Sequence, residues 1–301
     1  MNNLIVIAGP TAVGKSYVSV QLAHYYGGIP IISADSRQIY QQMQIGTAKP
    51  SIDEQQGIVH YMINNKHIDE SFNAYRYEIE VLEILKNKIW PNYNNVIVTG
   101  GTGLYIEALS QGIDYMPDIP DEVRRKWKSL YQMNGIEYLQ NKLLTEDPEF
   151  FQEVDKANHK RIIRALEVID VSGQSFSSFR RKQPQRRDFN IIKVALELPR
   201  EELYQRIDAR MEQMIAQGLF AEAEHLFSHK DKQALQTVGY KEIFAYLENQ
   251  YDKKEAIRLL KRNSRRYAKR QMTWFRKDKE YQWFSPNDLQ KITNYLDSKL
   301  H

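Results

Sequence analysis

The chain has 301 residues, a net charge of +4 and an apolar fraction of 42%, enough for one large or two modest globular domains with ample core. Without cysteine it can hold neither disulfides nor a thiolate metal site, and its seven histidines show no metal-ligand spacing. No apolar run reaches membrane-spanning length, and the first residues read as a core strand with no room for a signal peptide, so a cytoplasmic location is expected. The charge is uneven. Residues 1–120 carry 7 Lys/Arg against 11 Asp/Glu, and the remainder carries 35 against 27. A basic second part suggests a polyanionic partner there; the plainer reading is a basic solvated surface.

Residues 1–8 form a short apolar run of buried-strand length, followed at once by Gly9-Pro-Thr-Ala-Val-Gly14-Lys15-Ser16, which satisfies G-x-x-x-x-G-K-[ST]. Apolar residues at helical spacing over 17–26 predict a helix closed by Gly27-Gly28. A phosphate cradle needs this strand, loop and helix. Glycines let the backbone wrap an anion, and N–H groups at the helix start point at it. Lys15 adds positive charge, and the Ser16 hydroxyl suits Mg²⁺. The expected ligand has two linked phosphates.

A second buried strand over 28–33 ends at Asp35. Ligands collect at the carboxyl ends of parallel strands, so Asp35 is expected beside the loop. It would accept a proton or hold a Mg²⁺-bound water, unless it only caps a turn. Gly46 to Pro50 reads as a loop, and 71–90 as a helix ended by Pro91. A third strand over 95–99 runs into Gly100-Gly-Thr-Gly-Leu-Tyr105. A nucleotide hydrolase would usually place an aspartate at such a strand end; here Thr99 is followed by two glycines. The phosphate loop is present without the usual hydrolase residues.

Pro117 to Pro120 marks a boundary. From 121 to 173 the pattern is all helical: 121–133 stopped at Asn134-Gly135, then 136–144, then 158–172 ended by Gly173. A basic loop over 175–187 contains Arg180-Arg181-Lys182 and Arg186-Arg187, and a strand returns over 190–198. The expected architecture is α/β: a P-loop parallel-sheet core (1–118 and 188–301) with an inserted all-helical domain (119–187) and a helical C-terminal part. A helix over 201–217 carries Arg206 and Arg210 on one face. Asp252 and Glu255 suggest a capping box opening a helix to residue 275. Between 256 and 277 there is no acidic residue, against Arg258, Lys261, Arg262, Arg265, Arg266, Lys269, Arg270, Arg276 and Lys277. With no balancing carboxylate, the run reads as an anion-binding face.

Seven stretches in order resemble the tRNA dimethylallyltransferase (tRNA isopentenyltransferase) family over nearly the whole chain. They are Gly9 to Ser16, Asp35-Ser-Arg-Gln-x-Tyr40, Gly46-Thr-Ala-Lys-Pro50, Gly100 to Tyr105, Arg164-Ala-Leu-Glu-Val168, Val238-Gly-Tyr-Lys241 and Tyr267 to Arg276. The resemblance implies transfer of a dimethylallyl group from dimethylallyl diphosphate to N6 of the adenosine 3′ of the anticodon, tRNA position 37. It assigns diphosphate binding to Gly9, Thr11, Ala12, Val13, Gly14, Lys15 and Ser16, with Arg206 beside Arg210 on a steadying helix and Mg²⁺ near Ser16. Asp35 corresponds to the general base, and Lys15, Ser16 and Arg210 complete the implied catalytic set. Contacts to tRNA are implied at Asp35, Ser36, Arg37, Gln38, Thr102, Arg124, Lys160, Arg161, Arg164, Gln236, Gly239, Tyr240 and Lys241. Val13, in place of a common small polar residue, is expected to face the loop. Apolar residues near Gly100 to Tyr105 are expected to keep water from the allylic cation. A monomer is expected. Three other readings use fewer of these features: a small-molecule P-loop kinase, a transferase acting on free adenine nucleotides, and an RNA-binding protein with a decayed site.

Overall fold

The computed structural model describes residues 1–180 and 183–300; Arg181 and Lys182 of the expected basic loop lie outside them. Six strands pair in parallel in the order β3-β2-β4-β1-β5-β6. They are β1 (Asn3–Ala8), β2 (Ile31–Ser33), β3 (His60–Tyr61), β4 (Asn95–Gly100), β5 (Asn190–Leu196) and β6 (Gln282–Phe284). The helices before β5 are α1 (Lys15–Tyr25), α2 (Ile52–Gln55), α3 (Ala74–Ile84), α4 (Gly103–Gln111), α5 (Asp121–Glu146), α6 (Pro148–Glu153) and α7 (His159–Ser172). After it come α8 (Arg200–Ala216), α9 (Leu219–His225), α10 (Lys241–Leu247), α11 (Lys253–Phe275) and α12 (Leu289–Asp297).

Strand β1 lies between β4 and β5, with all six residues buried. Covered on both faces, it needs apolar residues throughout, hence an unbroken run in place of alternation. Its side chains Ile5 and Ile7 share a core with Val18 and Leu22 of α1, Ile31, Ile97, Val194 and Leu203. The register places Ala8 opposite Gly100, and Ser33 opposite Thr99. Gly9, Asp35 and Gly101 therefore leave the sheet at the same edge, where parallel sheets bind ligands.

The chain divides into two compact units, Met1–Gln111 with the chain from Arg186 onward, and Gly112–Gln185. Among its described residues the second unit has helices and no strand, and it packs Trp127, Leu139, Leu143, Phe150, Ile162 and Leu166 into a core of its own. It begins earlier in the chain than the prolines at 117 and 120 suggest. Helix α5 spans both helices expected over 121–144, with Gly135 at φ 74°, ψ −172° breaking the regular geometry between them. The helix expected over 71–90 is α3 followed by one π-helical turn, Leu85–Ile89. Strands β3 and β6 were not anticipated. At two and three residues, both partly exposed, they are too short to show a period.

Candidate active site

The phosphate-loop sequence folds as a turn between β1 and α1. Gly9 has φ +149°, and a Cβ there would lie 2.8 Å from the Leu196 carbonyl, so only glycine fits. Gly14, at φ +108°, turns the chain into α1. The first-turn N–H groups of α1 have no acceptor within the helix, and Lys15, Ser16 and Tyr17 line the adjoining cleft. One expectation about this loop needs correction. Val13 does not face the loop; its side chain is fully buried in the core behind the cradle. The Thr11 N–H is not available to an anion, because it donates to Gln271 Oε1 at 2.9 Å.

Asp35 follows β2 and builds its own turn. Its Oδ1 accepts from the N–H groups of Arg37 (2.8 Å) and Gln38 (3.3 Å), while Oδ2 has no hydrogen-bond partner among the described residues. The turn-cap reading and the functional reading therefore both apply, one to each oxygen. Thr102 braces the turn from β4: its N–H donates to the Ala34 carbonyl (3.1 Å), and its Oγ1 accepts from Ser36 N–H (3.0 Å). The glycines after Thr99 permit this approach, since a Cβ on Gly100 would lie 2.2 Å from the Ala34 oxygen. Gln38 receives the Ser33 hydroxyl on Oε1 and donates to the Thr47 carbonyl, tying the turn to the Gly46–Pro50 loop. Arg37 donates from Nη1 to the Gln233 carbonyl.

Between the cradle and the turn lies a cleft of about 450 Å³, lined by Lys15, Ser16, Asp35, Gln38, Thr99, Gly101, Arg206, Arg210 and Gln271 among others. Lys15 donates from Nζ to the Pro10 carbonyl at 2.7 Å. Burial first and the Arg210 guanidinium second lower its pKa to about 7, against the opposing pull of Asp35. Arg210 donates to Thr11 Oγ1 (3.2 Å) and to the Ala48 carbonyl (3.3 Å). Two cations thus face each other in a desolvated space, an arrangement that a polyanion between them would relieve. Arg206 stands at the rim and is paired with Glu202 at 2.9 Å.

A second hollow of about 100 Å³ shares Thr11, Asp35, Arg210 and Tyr267 with the cleft. Ile207, Met211 and Met214 of α8, with Val238, give it an apolar wall. Apolar side chains near Gly100 to Tyr105 do not line this hollow. Tyr105 instead stacks on Tyr77 at 4.3 Å within the core, and Leu104 is exposed. Glu222 holds the opposite side in place. Its carboxylate accepts from the N–H groups of Gln44 (2.9 Å), Ile45 (2.7 Å) and Gly46 (2.8 Å) and from Tyr240 Oη (2.6 Å). The side chain of Tyr240, expected at the tRNA, is fully buried in this anchor. Gly239 lines the apolar hollow, the Gln236 amide donates to the Lys230 carbonyl (2.6 Å), and Lys241 is exposed at the start of α10.

Helix α11 is less unbalanced than its sequence suggests. Arg265 pairs with Asp208 (2.6 Å), Lys261 with Glu212 (2.5 Å), Arg276 with Glu197 (3.2 Å) and Arg258 with Glu255 (2.6 Å). Glu255 thereby serves Arg258, and only the Asp252 half of the capping box is made. Arg266, Lys269 and Arg270 are exposed and form no ion pair among the described residues. Arg187 of the basic loop is also committed, to Glu78 at 2.6 Å and to the Ala108 and Leu109 carbonyls. Both side chains of that pair are buried, so cutting it would cost about 3–5 kcal/mol. In the helical unit Lys160 and Arg161 are exposed in the first turn of α7, which Asn158 caps. Arg164 lies half-buried against the Pro117 carbonyl and Glu167, and Arg124 donates to the Ile119 carbonyl.

The fold and this cleft define a parallel-sheet α/β protein with a glycine-containing loop after β1 and a strand β4 that ends without an acidic residue. A family model described as IPP transferase matches residues 38–278. The chain is 44% identical to the tRNA dimethylallyltransferase of Cytophaga hutchinsonii, an alignment covering 99% of this chain and 97% of that one. It is 39% identical to tRNA dimethylallyltransferase 1 of Bacteroides fragilis, over 99% and 98% respectively. Among solved structures it is similar to the full-length tRNA isopentenylpyrophosphate transferase of Bacillus halodurans, with a TM-score of 0.73 and 35% identity over 100% of this chain and 97% of that one. A eukaryotic dimethylallyltransferase acting on tRNA gives a TM-score of 0.72 and 27% identity over 91% of this chain and 70% of that one. The chain belongs to the IPP transferase family of tRNA dimethylallyltransferases. Among the described residues no helix is long and apolar enough to cross a membrane.

Proposed function

We propose that the protein transfers the dimethylallyl group of dimethylallyl diphosphate to N6 of the adenosine 3′ of the anticodon, tRNA position 37, and releases diphosphate. One observation carries this reading: a cleft that sets two half-buried cations and a helix N-terminus opposite a carboxylate with a free oxygen, beside an apolar hollow. A diphosphate suits the cations, a five-carbon chain suits Ile207, Met211 and Met214, and an amine proton suits Asp35.

In the step itself the allylic carbon–oxygen bond breaks and its electron pair leaves with the diphosphate. The N6 lone pair forms the new bond to that carbon, and the N6 proton passes to Asp35 Oδ2. Because the allylic carbon tolerates positive charge, bond breaking runs ahead of attack. Catalysis then rests on holding the departing charge with Lys15, Arg210 and the first-turn N–H groups of α1, and on keeping the amine in line. An adenine stacked in a loop cannot reach the cleft, so it must be extruded. The apolar side chains of α8 exclude water from the carbon. Ser16 and Asp35 line one cleft, and no cluster of three or more acidic or histidine ligands exists among the described residues. This suits Mg²⁺, which takes few protein ligands beside phosphate oxygens and water. Ser16 would hold it, and it would add charge against the diphosphate.

A strand end without an acidic residue predicts that dimethylallyl diphosphate is consumed only with tRNA, and that ATP is not hydrolysed. ATP hydrolysis or phosphoryl transfer without prenylated product would return the protein to the kinase reading. For tRNA binding, Arg266, Lys269 and Arg270 are exposed side chains of α11 that no carboxylate neutralises among the described residues. Their joint replacement by glutamine should flatten the slope of log affinity against log salt by roughly one to three units, with diphosphate binding unchanged. Arg265→Gln alone should leave the slope unaltered, since Asp208 already neutralises it. An unchanged slope in the triple variant would make the exposed face of α11 a solvated surface.

A further inference from the structure

We propose that Gln271 is a positioning residue that sets the distance between the phosphate cradle and the turn bearing Asp35. The inference rests on the transfer reading above. Gln271 is 6% exposed near the C-terminal end of the basic helix α11. Its amide accepts from Thr11 N–H on Oε1 and donates from Nε2 to the Gly101 carbonyl, both at 2.9 Å. The partners are a backbone donor and a backbone acceptor, so the amide has one orientation only. A carboxylate cannot donate to Gly101, an amine cannot accept from Thr11, and asparagine is one methylene short. The fit is close, since a Cβ on Gly101 would lie 2.1 Å from Nε2.

The consequence lies in what the two backbones carry. Thr11 belongs to the cradle, and its hydroxyl receives Arg210. Gly101 leads into Thr102, whose N–H and hydroxyl hold Ala34 and Ser36 on either side of Asp35. A continuous bonded path therefore runs from the cradle through Gln271 and Thr102 to the base-bearing turn. In the transfer the leaving oxygen is held at one end of this path and the attacking nitrogen at the other. Misplacement by about 1 Å costs on the order of 10²-fold in rate. The amide touches neither reacting atom and acts only through the two loops.

The test measures single-turnover transfer from dimethylallyl diphosphate to unmodified tRNA, with separate titrations of inorganic diphosphate and tRNA. Gln271→Met keeps the volume and removes both hydrogen bonds. The expected result is a rate lowered by roughly 10²-fold, with both dissociation constants little changed. Gln271→Glu provides a second reading should the methionine variant fail to fold. Its carboxylate accepts from Thr11 but repels the Gly101 carbonyl until protonated, so its rate relative to wild type should rise as pH falls. A wild-type rate with a lower Tm in Gln271→Met would make the residue merely structural and overturn the proposal. A loss lying wholly in diphosphate affinity, or a glutamate variant whose pH profile parallels wild type, would overturn it too. Absence of transfer by the wild-type protein would refute the transfer reading itself.

Discussion

Asp35→Asn is expected to slow prenyl transfer by roughly 10²–10⁴-fold while tRNA affinity stays close to wild type. The substitution separates the two oxygens of the side chain. Asparagine retains an Oδ1 that can accept from Arg37 and Gln38 N–H, so the turn persists. What it loses is the proton acceptor at Oδ2. Asp35→Ala would also dissolve the turn and could not distinguish a base from a cap. A near-wild-type single-turnover rate for Asp35→Asn would leave the residue with its turn alone.

Lys15→Ala should show a different signature, weakening donor binding as well as slowing transfer. Loss of one preorganised donor to a developing anion costs roughly 10²–10³-fold in rate. The wild-type protein should carry a pH signature from the same residue. With the lysine at a pKa of about 7, diphosphate binding raises it, because an anion favours the charged form. Binding above neutral pH therefore takes up a proton, and the dissociation constant for diphosphate should rise by up to roughly tenfold per pH unit there. Below pH 7 Lys15 is already charged and adds no slope. Isothermal titration in buffers of different ionisation enthalpy measures that uptake directly. In Lys15→Ala the uptake should vanish; if it persists, another group binds the proton.

The parts of this molecule that were legible in sequence are those encoded locally. The cradle is eight consecutive residues, and the strands beside it are continuous apolar runs because both faces are covered. The helical insertion showed itself through Asn134-Gly135 and Gly173. What was not legible depends on residues far apart in the chain. The carboxylates that neutralise Lys261, Arg265 and Arg276 are Glu212, Asp208 and Glu197, so a charge count confined to α11 overstated its free charge. Ile207, Met211 and Met214 recur at helical spacing, a pattern that any buried helix face shares, so Arg206 and Arg210 were the only residues of α8 that pointed to a functional face. Gln271 gave one faint signal, an amide inside a basic run. Val13 and Tyr240 were misplaced because motif membership says nothing about where a side chain points, and both turn into the core.

The most direct measurement incubates the purified protein with dimethylallyl diphosphate, Mg²⁺ and unmodified tRNA, then digests the tRNA to nucleosides for mass spectrometry. The expected product is one adenosine per substrate tRNA, 3′ of the anticodon, carrying a dimethylallyl unit in place of an N6 hydrogen, with an equal amount of diphosphate released. Unmodified tRNA alongside prenylated free AMP, or no prenylated adenosine at all, would contradict it.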